Sequence, residues 1–414
     1  MGLRVRGDDD EEQGKEEKSM RHARLQSRRR FLVGGTAAAM AAWLPRSAFA
    51  ADPVKIGLIL PMTGPFASTG RQTEAAVRLY MQRNGDTVAG RKLELIVKDD
   101  TGLAPETTKR IAQELIVQEK IAILAGFGLT PLALATASVA TEAKVPMIVM
   151  CAGTSIIPQR SPFIVRTGFT LPQNTAPIAD WAAKNKIKRV VTLVADYAPG
   201  SESEKTFVKR FGDAGGTIVD SIRSPLSNPD FAPFLQRAKD AKPDALFVFV
   251  PSGQGTAVMK QFAERGLKDA GIALIGPGDV VDDDILDTIG APALGVITSF
   301  HYSAAHPSPE NKAYVDAFMK ANNGMRPNFM SVGGYDGMHL IYEALKKTGG
   351  ATDGEKLVEA MKGMAWVSPR GPMSIDPATR DVVQNVYIRK VEMKDGHYWN
   401  VEFDKVENFK DPGV

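Results

Sequence analysis

Two stretches place hydroxyls, glycines and small residues at the ends of apolar runs. In the first, Ile121 to Ala125 breaks at Gly126-Phe-Gly128, and Thr130-Pro131 follows. Thr followed by Pro predicts a helix start, because the hydroxyl oxygen can cap the first turn and Pro gives up an N–H that would be unpaired there anyway. Val145 to Met150 then predicts a second buried strand, ending on Cys151-Ala-Gly-Thr-Ser155. Two strand ends therefore open side by side onto one crevice, which is where open α/β sheets bind ligands. The arrangement recurs downstream. Asp244 to Val250 breaks at Pro251-Ser-Gly-Gln-Gly255, a turn centred on Gly253, and Ile272 to Ile275 stops at Gly276-Pro-Gly-Asp279. Two α/β lobes with loops facing across a cleft describe a binder.

The chemistry of an enzyme is missing from the pattern. Gly126-Phe-Gly128 opens a helix as a dinucleotide loop does, but the third glycine position is Pro131, and the strand from Val145 to Met150 ends on Cys151 where an acid would hold the ribose. There is no Gly-x-Ser-x-Gly elbow, no His-Glu-x-x-His and no Gly-Lys-Ser/Thr phosphate loop. Cys151 is the only cysteine and has no His nearby in sequence, so it is expected to be a small strand-end residue. His301 and His306 lie five apart without a carboxylate or thiol to complete a metal set. Asp282 to Asp284 lacks the spaced ligands of a calcium loop and predicts a solvated helix start. No cofactor and no metal are expected.

The first fifty of the 414 residues stand apart. An acidic stretch and the arginines Arg28, Arg29 and Arg30 precede an apolar run from Phe31 to Leu44, too short to span a bilayer. Ser27-Arg-Arg-Arg-Phe-Leu32 fits a twin-arginine signal, and Ala48-Phe-Ala50 offers the small residues a signal peptidase reads. This leader holds ten Lys or Arg and seven Asp or Glu, so the remainder carries 41 of each and its formal charge falls from +3 to zero. A neutral mature chain without a basic stripe argues against nucleic acid as a partner.

From Val54 onward, strands alternate with helices, which predicts parallel sheets covered on both faces. The expected fold is α/β, with two Rossmann-like lobes, parallel central sheets, a multi-strand hinge and a ligand cleft between the lobes. Residues 51–168 and 300–380 are assigned to the first lobe, and 169–299 and 381–414 to the second. The chain passes between lobes near Phe163 to Phe169 and again near Val296 to Phe300.

With these elements placed, a resemblance enters. Ile56-Gly-Leu-Ile-Leu-Pro-Met-Thr-Gly-Pro65, Asp99-Asp100, Val145-Pro-Met-Ile148 running into Ala152-Gly-Thr154, Asp196-Tyr-Ala-Pro-Gly200 and Gly334-Tyr-Asp-Gly337 resemble the substrate-binding proteins of ABC transporters of the branched-chain amino acid type, with a type I periplasmic binding protein fold. The resemblance covers residues 54–403. It implies a periplasmic monomer that closes by its hinge on a small carboxylate ligand and docks on ABC permease subunits at the membrane. It also implies that Thr130, Ala152, Gly153 and Thr154 hold the ligand carboxylate, where hydroxyls and N–H groups at a helix start favour negative charge. The family's cleft aromatic in the first lobe falls on Thr69. Its Tyr near Gly200 and its Glu near Gly278, which hold a ligand ammonium, have no residue in register. Tyr197 and Asp279 are the substitutes, although Asp279 can equally cap a helix from Val280 to Leu286. The expected ligand is an amino acid of the branched-chain type. The alternatives are a carboxylate lacking an amino group, such as an aromatic acid, and a sensor of the same fold.

Replacing Arg28 and Arg29 together by Lys should leave precursor inside the cell, whereas a normal yield of mature protein from the periplasm excludes twin-arginine routing. N-terminal sequencing of the mature protein should read from Ala51 or Asp52.

Overall fold

Val54–Leu60 (β1) is buried along nearly its whole length, as only a strand covered on both faces can be. The computed structural model describes residues 52–227 and 229–413; the expected leader and its expected cleavage near Ala50 lie outside them. After β1 come Ala67–Asn84 (α1), Thr87–Val88 (β2), Arg91–Asp99 (β3), Pro105–Val117 (α2), Ile123–Gly126 (β4), Thr130–Ala143 (α3), Met147–Val149 (β5) and Ile164–Arg166 (β6). They form one sheet in the order β2-β3-β1-β4-β5-β6, parallel except where β2 meets β3.

The chain then crosses to a second sheet. Leu171–Lys184 (α4) opens it behind a capping box between Thr170 and Gln173. Arg189–Ala195 (β7), Ala198–Asp213 (α5), Thr217–Ser224 (β8), Ala232–Asp240 (α6), Ala245–Phe249 (β9), Gly255–Glu264 (α7), Ala273–Pro277 (β10), Leu286–Ile289 (α8) and Ile297–Phe300 (β11) follow. Strands β8, β7, β9, β10 and β11 lie parallel in that spatial order. Pro309–Ala321 (α9), Phe329–Lys347 (α10) and Gly354–Met361 (α11) come next, with α9 and α10 packed on α1 of the first lobe. The chain finally returns as Ala365–Ser368 (β12), Gly371–Ile375 (β13), Val382–Lys394 (β14) and His397–Phe409 (β15). The result is two α/β lobes with parallel sheets joined by a hinge of several chain crossings.

The residues 300–380 do not all stay with the first lobe. The hairpin β12–β13 joins the second sheet through β14, pairing Met373 with Gln384 and Ile375 with Val382. The run is short and contains Pro372, so it carries no clear period in sequence; its place is set by the edge that β14 offers. Its other face holds to the first lobe, with Trp366 Nε1 donating to Asp336 on α10 at 3.0 Å.

Among the described residues three arginines are fully buried, and each serves a crossing. Arg166 donates to the carbonyls of Thr154 and Phe169 at 2.6 and 2.9 Å. Arg370 donates to those of Thr167 and Gly168 at 2.6 and 2.8 Å, and Arg389 to that of Tyr302. Arg370 is matched by Asp336, whose carboxylate also takes Ser368 Oγ at 2.8 Å. Asp336→Ala leaves that guanidinium uncompensated, a loss of about 3–5 kcal/mol in chemical denaturation. A loss below 1 kcal/mol contradicts this role for the pair.

Candidate ligand site

The loops after β1, β4, β5 and β6 and those after β7, β9 and β10 converge on one narrow cavity of about 30 Å³. That is below the roughly 300–1,000 Å³ usual for small-molecule sites, so a ligand is admitted only as the lobes part. The strand order reverses between β1 and β4 in one sheet and between β7 and β9 in the other, so the cavity sits at both switch points.

Of the residues singled out from sequence, Thr69, Thr130, Ala152, Gly153, Tyr197 and Asp279 line the cavity. Thr154 stands just behind it, with its Oγ1 2.7 Å from Thr130 Oγ1. Gly253 is not part of the wall. It takes φ +93° in the turn after β9 and faces the Pro65 carbonyl, while its neighbours Pro251 and Ser252 reach the cavity instead.

The first lobe supplies the anion-binding end. Thr130 is not the cap expected from sequence. Leu129 holds the extended cap position, no side chain caps α3, and Thr130 is the first helical residue. Its hydroxyl is thereby free to meet Thr154 and the cavity. The N–H groups of Gly153 and Thr154 have no protein acceptor among the described residues. A Cβ at Gly153 would lie 2.6 Å from Leu171 Cδ2 and 2.7 Å from Phe169 Cε2, so a larger residue here displaces those two wall side chains. Unpaired N–H groups, two hydroxyls and the positive end of α3 together suit a carboxylate. Arg166, bonded to the Thr154 carbonyl from behind, fixes the loop and adds positive charge beneath it.

The walls are aromatic. Phe66 and Phe169 come from the first lobe and Tyr197 and Phe249 from the second, with Tyr197 stacked on Phe249 at 6.2 Å and 14°. Leu129, Leu171, Pro199 and Met330 fill the remainder. The sequence reading missed Phe66, Phe169, Phe249, Ser252 and Met330. The available signal was position: Phe249 ends β9, and Phe66 immediately precedes α1.

Among the described residues, Asp279 is the one acidic side chain on the wall. The α-helix expected from Val280 to Leu286 does not form, and Asp279 lies in a single 3-10 turn, Gly278–Val281, so it caps no helix. It is 3% exposed, its Oδ2 has no partner, and burial pushes its carboxyl up to about 7. Burial, and after it the charge of Asp279, also raises the half-buried phenol of Tyr197.

Asp282 to Asp284 is not solvated. Asp282 and Asp283 are buried, because these side chains face the other lobe or the sheet behind. Asp282 accepts from Ser252 Oγ at 3.1 Å and from Asn328 Nδ2, at the start of α10, at 2.8 Å. Asp284 accepts from Ser68 Oγ on α1 at 3.1 Å. His301 and His306 do not converge: His301 is buried with Nδ1 3.1 Å from Asn174 Nδ2, and His306 pairs with Glu402. Cys151 is buried beside Thr73, and burial pushes its thiol up to about 12.

Residues 53–397 match the periplasmic binding protein family. A Brucella abortus protein named Leu/Ile/Val-binding protein homolog 6 is 45% identical over 374 residues, 90% of this chain and 96% of its own length. Among solved structures, a solute-binding protein of an ABC transporter from Rhodopseudomonas palustris BisB5, in complex with 3,4-dihydroxybenzoic acid, is 63% identical with a TM-score of 0.86. It covers 87% of this chain, and 99% of its own chain is matched. A solute-binding protein from Rhodopseudomonas palustris HaA2, in complex with p-hydroxybenzoic acid, is 42% identical with a TM-score of 0.85 over the same shares.

One contact between the lobes carries a pH dependence. Glu202 on α5 takes the Ser155 N–H on both carboxylate oxygens at 3.1 Å, one residue beyond Thr154. Burial raises its carboxyl from an ordinary 4.5 to about 7, with the Ser155 N–H and Arg166 acting against the rise. The folded form therefore holds this proton more tightly than the unfolded chain. The favourable contribution is complete below about 4.5 and is lost as pH rises through about 7. The melting midpoint of Glu202→Gln, measured against wild type, should shift in the variant's favour across that window; a flat difference rejects the assignment.

Proposed function

This chain belongs to the periplasmic binding protein family and is a non-enzymatic solute-binding protein of ABC transport, and from that premise we propose that its ligand is a small aromatic carboxylate. The observation that carries the proposal is the cavity itself. A carboxylate-binding end in the first lobe gives onto a slot walled by Phe66, Phe169, Tyr197 and Phe249. Such walls suit a flat ring, which gains from stacked or edge-on contact as well as from lost water.

The branched-chain amino acid expected from sequence fits less well. Its ammonium sits one carbon from its carboxylate and needs an ionised acceptor beside the carboxylate site. The only acidic side chain on the wall among the described residues, Asp279, belongs to the opposite lobe, and burial disfavours its ionised form. Two similar structures hold hydroxybenzoates, which favours the aromatic reading over the amino acid one. In this account the lobes close on the acid and the closed form is presented to the permease subunits, with the monomer exported on its twin-arginine leader.

A thermal-shift comparison of benzoates with leucine, isoleucine and valine tests this, since a ligand bound only by the native state raises the midpoint. The benzoates should raise it and the amino acids should not; the reverse pattern overturns the proposal. By calorimetry, Thr130→Ala should weaken binding of the best benzoate by roughly tenfold to a hundredfold, the worth of one hydrogen bond to a charged group.

A further inference from the structure

We infer that Asp279 reads a ring hydroxyl on the side of the ligand away from its carboxylate, so that the site selects hydroxylated benzoates over benzoate itself. This rests on the aromatic carboxylate reading above and narrows it. Asp279 stands in the second lobe, across the cavity from Thr130 and the Gly153–Thr154 loop. It is almost wholly shielded from water, yet its Oδ2 accepts no hydrogen bond from the protein. A buried acceptor left in this state is costly, and in native structures such an atom calls for an explanation. It lies on the cavity wall, where a ligand donor can reach it.

The identity of that donor follows from its surroundings. Burial disfavours the ionised carboxyl, so a full positive charge finds a weak counter-ion there, whereas a neutral O–H needs only an acceptor. The Tyr197 and Phe249 rings, stacked on one another, form an apolar wall of the cavity that Asp279 also lines, against which an aromatic ring can lie while its edge hydroxyl reaches the acid. A hydroxyl next to the ligand carboxylate stays with the first lobe and gains nothing from Asp279. One at the far edge is in place. A site built to receive a hydroxyl discriminates strongly against the analogue lacking it, because its own polar group is then left unpaired.

Calorimetry on the full mature protein with benzoate, 2-hydroxybenzoate, 4-hydroxybenzoate and leucine separates the possibilities. Wild type should bind 4-hydroxybenzoate about tenfold or more tightly than benzoate, and 2-hydroxybenzoate no better than benzoate. In Asp279→Leu the ratio between 4-hydroxybenzoate and benzoate should fall to within about threefold of unity, as expected once the acceptor is gone. Asp279→Asn keeps the shape should the Leu variant not fold; it retains an acceptor without charge, and its ratio should lie between the two. Equal binding of benzoate and 4-hydroxybenzoate by wild type overturns the inference and leaves the aromatic reading standing. So does a wild-type preference that both variants preserve. Binding of leucine with no response to any benzoate removes both.

Discussion

A chain that crosses between two sheets leaves its backbone carbonyls without ladder partners, and in this protein buried guanidinium groups take them. Arg166 holds the Thr154 and Phe169 carbonyls, Arg370 those of Thr167 and Gly168, and Arg389 that of Tyr302. Buried carbonyls must be paired somewhere. Arginine suits the task, since its planar fork serves two or more acceptors at once and is less strongly hydrated than an ammonium. The cost of burying these charges is offset by Asp336 at Arg370 and by Asp381, 3.3 Å from Arg166 Nε.

The site inherits its geometry from this arrangement. Because one guanidinium grips both the Thr154 and Phe169 carbonyls, the loop that offers free N–H groups and the aromatic wall beside it are fixed as a unit. The second lobe adds acceptors that meet first-lobe donors around the cavity: Glu202 on the Ser155 N–H, Asp282 on Asn328 and Asp284 on Ser68. Each of these depends on the lobes being together. Their worth to the closed form is therefore tied to the same movement that encloses a ligand.

Much of the fold was legible because its signals are local. Alternating apolar runs and helical periods gave both parallel sheets, and glycine turns at strand ends gave the cavity's location. The hairpin β12–β13 was not legible, since its pairing is decided by the distant edge of β14. Thr130 was found, but its role was misread: a Thr-Pro pair suggests a cap, while the extended backbone at Leu129 takes that position and releases the hydroxyl. Asp282 and Asp283 read as solvated because charge density alone says nothing about which side chains face another lobe. The buried arginines had no sequence signal, as a charged residue declares its burial only through partners far along the chain. Phe66, Phe169 and Phe249 were not singled out as wall residues, since an isolated aromatic in the sequence carries no sign of whether it faces the core or a cavity.

The central claim is that the first-lobe loop, held by Arg166, binds a carboxylate whose ring fills the aromatic slot. A crystal structure of the mature protein with benzoate tests it most directly. The account predicts the benzoate carboxylate within hydrogen-bond distance of the Thr130 hydroxyl and the N–H groups of Gly153 and Thr154, with its ring packed between the aromatic walls of the two lobes. A benzoate carboxylate turned toward Asp279, or an amino acid retained in the cavity at saturating benzoate, would contradict it.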